Sequence, residues 1–249
     1  MTHTNQTVNS IGSGVRFQFA AAGDSYLVAS GVTVRSTSGW WGINGTFAGN
    51  KVQVNGLAES VSGYAIYLQG VGSELTIGKQ GTVSTVSTSY GNPVIFLEGG
   101  TSTITNLGRI VGETTIGILT YGGATEAVNH GLVKGASGVF IGLGGSTGDS
   151  FENFGRVSAN SFDDTINDYR GNNGVFSEGA NTLIVNHKNG NISAISSEGA
   201  GVAIADSGNG SEVMNEGKIV SKLWYGVDFF NMNATSIAHL ENSGKISGG

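Results

Sequence analysis

The chain has 249 residues, no cysteine, a single proline and 43 glycines, and only 12% of it is charged, for a formal net charge of -6. This excludes a disulfide scaffold or a thiolate metal site, offers no basic footprint for nucleic acid, and leaves strand-forming Val, Ile, Thr and Ser to set the structure. No apolar run approaches the roughly 18 residues that a membrane-spanning helix needs, and the first residues lack the basic start and apolar stretch of a signal peptide.

Residues 1–22 stand outside any repeat. Within them Val15-Arg16-Phe17-Gln18-Phe19 alternates as one strand and reads as an N-terminal cap, covering a coil edge that would otherwise invite aggregation. From residue 23 to residue 249 one phrase, Asn-x-Gly-x-Ile/Val, keeps returning: Asn106 to Ile110, Asn129 to Val133, Asn153 to Val157, Asn215 to Ile219 and Asn242 to Ile246. Aligned on its glycine, the series Gly31, Gly56, Gly81, Gly108, Gly131, Gly155, Gly190, Gly217, Gly244 has gaps of 25, 25, 27, 23, 24, 35, 27 and 27 residues. About ten residues later comes a second phrase, Gly-Val-x-hydrophobic, at Gly138, Gly174, Gly201 and Gly226, with Gly63-Tyr64-Ala65-Ile66 as a looser form. Both phrases alternate with period two, the mark of a strand.

A repeat of about 25 residues made of short strands predicts an all-β solenoid of about nine coils, each burying its apolar face only when a neighbour stacks on it. Leucine-rich repeats lack a match to their consensus here, and a propeller blade needs roughly 40 residues or more. At about 4.8 Å per coil the rod is on the order of 40 to 45 Å long. Val139, Val175, Val202 and Val227 should form one core column, and Ile66, Ile118, Ile141, Ile204 and Phe229 another. The phrase Gly is expected to supply positive φ at a turn, and the Asn amides to stack into a ladder.

The phrase Asn-x-Gly-x-Ile followed by Gly-Val-x-hydrophobic resembles the degenerate repeats of bacterial autotransporter passengers and filamentous haemagglutinin-like adhesins. The resemblance covers about Tyr26 to Gly249. It implies a right-handed parallel β-helix, secretion or display on a bacterial cell surface, and a family in which adhesins, lyases and plain stalks share one fold.

Function is then sought where the repeat is broken. The 35-residue gap holds an insertion at about 161–173, and solenoid insertions emerge as loops on a binding face. Asp163, Asp164 and Asp168, with Asn167, are hard oxygen donors suited to Ca²⁺; the alternative is a solvated acidic loop, with Tyr169 and Arg170 as contact residues. Gly144 to Phe151 matches a calcium-binding nonapeptide once and imperfectly. In the second strand, Ile95, Phe140, Phe176, Ala203 and Asp228 should face solvent, with Phe140 and Phe176 stacked in adjacent coils as a sugar-binding track or oligomer interface. The alternative is that the acidic insertion covers them, or that a one-residue register shift turns them inward. Arg109, Arg156, Lys218 and Lys245, with Lys134, imply a basic stripe, fit either for solubility or for an anionic surface.

Lyases, epimerases and glycosidases on this fold place carboxylates along one sheet, and Glu98, Glu178 and Asp206 fall near strand ends, with Asn231 in line. Glu178 and Asp206 could serve as acid and base at about 5 to 9.5 Å. No nucleophile elbow, phosphate loop or zinc motif is present, and the four His show no ligand spacing. The sequence therefore predicts a non-enzymatic adhesive, carbohydrate-contacting or spacer module with no required cofactor. Its expected partner is a polysaccharide or cell-surface ligand, and neither nucleic acid nor membrane insertion. A polysaccharide-active enzyme is the alternative, and a self-assembling solenoid the next, because no cap is visible at Gly248-Gly249, where a longer protein or an end-to-end partner would continue the rod.

Overall fold

A computed structural model gives the fold, and describes residues 1–87, 91–160, 172–195, 199–205, 209–230 and 236–249. Among the described residues every regular element is a strand, and the strands fall into three parallel sheets, each taking one strand per coil of a β-solenoid of about nine turns. Sheet 1 holds ten strands, from His3–Gln6 to Ala238–Asn242; sheet 2 holds ten, from Ser10–Gly12 to Lys245–Ser247; sheet 3 holds nine, from Phe17–Gln18 to Val227–Phe230. The Asn-x-Gly phrase ends sheet 1 and begins sheet 2, and the Gly-Val phrase is sheet 3. Residues 1–22 contribute one strand to each sheet, with His3 to Gln6 paired in parallel against Ser25 to Val28. Among the described residues no helix is long and apolar enough to cross a membrane.

Stacking turns the repeat into columns. Asn106 Nδ2 donates to Asn129 Oδ1 at 2.7 Å, Asn129 to Asn153 at 2.8 Å, Asn153 to Asn186 at 2.8 Å, Asn186 to Asn215 at 2.7 Å and Asn215 to Asn242 at 2.7 Å. The expected ladder is therefore continuous over six coils. Asn129 Oδ1 also accepts from the Gly131 backbone N–H at 3.2 Å, so the side chain holds its own turn as well as the next coil. In the earlier coils the same column is aliphatic, with Ile77 directly opposite Asn106 and Val54 and Val28 beneath it.

The phrase glycines are required for a reason other than the expected one. Of the aligned series only Gly31 has positive φ. What the others lack is room: a Cβ on Gly131 would stand 2.0 Å from the Gly108 carbonyl oxygen, and one on Gly155 2.3 Å from that of Gly131. Each turn rests directly on the turn below, and a methyl group would force coils apart that parallel pairing holds at about 4.8 Å.

The core column of sheet 3 also differs from the expected one. Ile66, Ile95 and Ile118 are in register with one another, and Ile118 with Val139, so Ile66 and Ile118 belong to the valine column. The looser early phrase is longer by two residues: Ile66 stands three after Gly63 where Val139 stands one after Gly138, and Ala65 N and Ile66 N both approach the Val94 carbonyl, at 2.9 and 3.2 Å, as in a β-bulge. Ile95 is accordingly a buried core residue and not a solvent-facing one. Its neighbour Phe96 takes the outward position, aligned with Tyr67 and Leu119.

Candidate functional site

The outward column of sheet 3 now reads Gln18, Asn44, Tyr67, Phe96, Leu119, Phe140, Phe176, Ala203, Asp228. In its early half the strands Trp41–Gly45, Tyr64–Leu68 and Ile95–Glu98 bring four aromatic rings together. Trp41 and Tyr67 are stacked, with centroids 5.7 Å apart and planes 13° from parallel. Phe96 lies 5.3 Å from Tyr67, and Tyr64 packs against Tyr67 at 5.8 Å and edge-on to Phe96 at 5.6 Å. All four are half-buried, so one side of the group is open to solvent. The next coil adds Tyr121, which is 45% exposed and directly opposite Glu98 in register.

Polar groups are set into this aromatic surface. The Tyr67 hydroxyl donates to a Glu98 carboxylate oxygen. Burial, then that bond and the nearby negative charge, raise the Tyr67 hydroxyl above the ordinary tyrosine range, and burial with the Glu98 charge raises Tyr64. Asn44 donates from Nδ2 to Gln18 Oε1 at 2.7 Å, while its Oδ1 and the Trp41 Nε1 have no partner among the described residues. At the margin, Trp40 is 63% exposed and shares a shallow cleft with Gly39, Ser62 and Asn92. Rings that present an apolar face beside a carboxylate and amides are suited to a ligand with apolar C–H faces edged by hydroxyls.

The later half of the same column is different. Phe140 and Phe176 do stack in adjacent coils, with centroids 4.9 Å apart, but they are 2% and 0% exposed. They belong to a second buried apolar cluster with Ile116, Ala200, Ala203 and Ala205, against which Leu119, Leu143 and Phe230 pack. The exposed Phe140/Phe176 stripe is thus corrected: the register points both rings away from the solenoid core, and a second core on that side takes them in. Asp163, Asp164, Asp168, Tyr169 and Arg170 lie outside the described residues, as do Asp206 and Asn231. Glu178 is half-buried just beyond the strand Val175–Ser177.

Asp149, from the nonapeptide-like stretch, is a turn brace. Its carboxylate accepts from the Thr125 backbone N–H at 2.8 Å and from Ser146 Oγ at 2.5 Å, and burial nonetheless pushes its carboxyl up. No group of three or more His, Cys, Asp or Glu side chains among the described residues is placed to hold a metal ion. The basic column is present, with Arg109, Arg156, Lys218 and Lys245 all exposed on sheet 2. A feature that His spacing did not reveal is a sandwich at the corner of sheets 1 and 2, where Phe154 lies 4.5 Å from His130 and 3.8 Å from His187.

The early aromatic group was missed because Gly63-Tyr64-Ala65-Ile66 fits the repeat loosely: the outward residue Tyr67 comes four positions after Gly63, whereas Phe140 comes two after Gly138. The available signal was the recurrence of aromatic residues at Trp41, Tyr64, Tyr67 and Phe96, about one coil apart. A scan against protein-family models gave no match, and searches of curated proteins and of solved structures gave none either.

Proposed function

We propose that this β-solenoid is a non-enzymatic carbohydrate-contacting module of a secreted or cell-surface protein, and that the early half of sheet 3 is the contact. The observation that carries the reading is the solvent-side group of Trp41, Tyr64, Tyr67 and Phe96 with Glu98 hydrogen-bonded at its edge. Half-exposed rings held rigidly by a stacked sheet give a platform without the ordering cost of a mobile loop, and sugar C–H faces pack on such rings. The resemblance of the repeat phrase supports a place among autotransporter-like or haemagglutinin-like surface proteins.

The test is titration of neutral and acidic oligosaccharides, followed by tryptophan fluorescence and calorimetry. Trp41→Ala and Tyr67→Ala should each weaken binding about tenfold, the loss that about 1.4 kcal/mol of ring contact produces. Binding that survives both substitutions unchanged would remove the platform. Release of reducing ends that stops on Glu178→Gln would replace the whole reading with the enzymatic one.

A further inference from the structure

The outward charges of sheets 1 and 2 are segregated by sign and matched by level. Counting strands in the order in which each sheet stacks them, the sixth strand of sheet 1 carries Glu126 and the sixth of sheet 2 Lys134. The seventh carry Glu152 and Arg156, the ninth Glu212 and Lys218, and the tenth Glu241 and Lys245. At the third level the signs invert together, with Lys51 on sheet 1 and Glu59 on sheet 2. The eighth level is uncharged on both outward faces, Leu183 and Val185 against Asn191 and Ser193. Like charges share no level, although Glu74, Arg109 and Arg35 stand without an opposite charge at theirs.

These residues lie on different faces of one rod, so the match is not an internal pairing. Lys134 is bonded to Glu113 at 2.8 Å and Glu152 to His187 at 3.0 Å, while Lys51 joins Glu74 at 2.7 Å and Glu59 joins Arg35 at 3.1 Å. Glu126, Glu241, Arg156, Lys218 and Lys245 have no ion pair among the described residues. Lys218 and Lys245 are moreover directly opposite in register, a like-charge pair that opposes sheet stability.

We infer that sheet 1 of one copy docks laterally on sheet 2 of a second copy, with the rods parallel and unstaggered. Two parallel rods wound in the same sense present strands that run in opposite directions across the contact. The first outward residue of a sheet 1 strand then faces the second outward residue of a sheet 2 strand, and the reverse. Glu126 comes opposite Lys134, Glu152 opposite Arg156, Glu241 opposite Lys245 and Lys51 opposite Glu59, each pair in the correct half of its strand. Only Glu212 and Lys218 meet diagonally. An anionic polysaccharide lying on sheet 2 would account for the cations there, but not for the acids at the same levels of sheet 1 or for the inverted third level.

The face is about 45 Å by about 13 Å from strand spacing and rise. That is about 600 Å² per copy and about 1,200 Å² in all, the low end for specific association. Association should therefore be weak and salt-sensitive. Because the two docking faces differ, it propagates side by side into a ring or raft. Sheet 3 stays free in such an array, so a weak ligand contact there would be multiplied, though the docking does not rest on that function.

The test is sedimentation velocity of the full chain. In about 0.01 M salt, where screening reaches about 30 Å, the weight-average mass should rise at least about twofold with concentration; in about 1 M salt, where it falls to about 3 Å, the chain should return to a single-copy mass. One variant reverses sheet 1 with Glu126→Lys, Glu152→Lys and Glu241→Lys; a second reverses sheet 2 with Lys134→Glu, Arg156→Glu and Lys245→Glu. Each alone should stay single, and an equimolar mixture should assemble again, circular dichroism confirming that both are folded. A mixture of folded variants that stays single, or a reversed variant that assembles like the unmodified chain, overturns the inference. If either variant fails to fold, the salt series on the unmodified chain decides, and a single-copy mass at low salt overturns it. Binding of polygalacturonate, lost on reversal of sheet 2, by a chain that never self-associates also overturns it in favour of a polyanion track.

Discussion

The two halves of the rod use the same sheet for opposite purposes. In the early coils the outward column of sheet 3 is Tyr67 and Phe96, half-buried and open on one side; in the later coils it is Phe140 and Phe176, fully buried in a second apolar cluster. The corner between sheets 1 and 2 changes near the same place, from the aliphatic Val28, Val54 and Ile77 to the Asn106–Asn242 amide ladder. Register alone decides which way a side chain points. Whether an outward ring is a contact surface or a second core depends on what the rest of the coil packs over it, and that is not periodic.

Removing a ring should separate the halves most sharply. Phe176→Ala empties a fully buried site and should cost about 3–5 kcal/mol, whereas Phe96→Ala, at a half-open site, should cost no more than about 1.5 kcal/mol. Denaturant midpoints at unchanged slope measure both; equal losses would mean that the early rings are as structural as the later ones. The corner gives the next contrast. Asn153→Ala takes the acceptor from Asn129 and the donor from Asn186 inside a buried column, and should cost about 2–3 kcal/mol, mostly for polar groups left unpaired. Val54→Ala in the aliphatic stretch removes only apolar contacts and should cost about 1–2 kcal/mol. The two should also differ in reach: loss of Asn153 should speed amide exchange in the turns at Asn129 and Asn186, and loss of Val54 should not reach them.

The later coils were legible because their phrase contains the determinants of its own register. Asn, Gly and the alternating aliphatics each occupy a position that stacking makes obligatory, and the ladder could be expected from composition and period alone. The role of the glycines could not, since the clash of a Cβ at Gly131 is with the carbonyl of Gly108, a residue one coil away. In the early coils a two-residue offset between Gly63 and the outward Tyr67 hid the outward column, and Ile95, in a coil that carries no Gly-Val phrase, faces the core instead of solvent. The burial of Phe140 and Phe176 depends on contacts with Ile116 and Ala203 from neighbouring coils, which local alternation does not encode. The bracing role of Asp149 was likewise hidden, because its partners, the Thr125 amide and Ser146 hydroxyl, come together only once the loop is folded.

The smallest expected effect is also the most local to the open half. Tyr67 carries a hydroxyl whose proton is retained by burial and by donation to Glu98, so its folded state ionises above the unfolded value of 10.0. Below that value the proton is bound in both states and the stabilisation is fully present. As pH rises past it, the unfolded chain releases the proton and the folded chain keeps it, so stability must fall with pH across the alkaline window. Tyr67→Phe removes this group from the balance and should shallow the alkaline decline without abolishing it, because Tyr64 and Tyr26 are raised in the same direction by burial. Urea unfolding at neutral and alkaline pH measures the slope. The corresponding Phe176→Tyr, which buries a hydroxyl in the closed half, should lower stability already at neutral pH, since the apolar cluster around it is built from Ile116, Phe140 and alanines. A Phe176→Tyr chain as stable at neutral pH as the unmodified one would show that the later cluster admits water as the early platform does, and would erase the contrast between the halves.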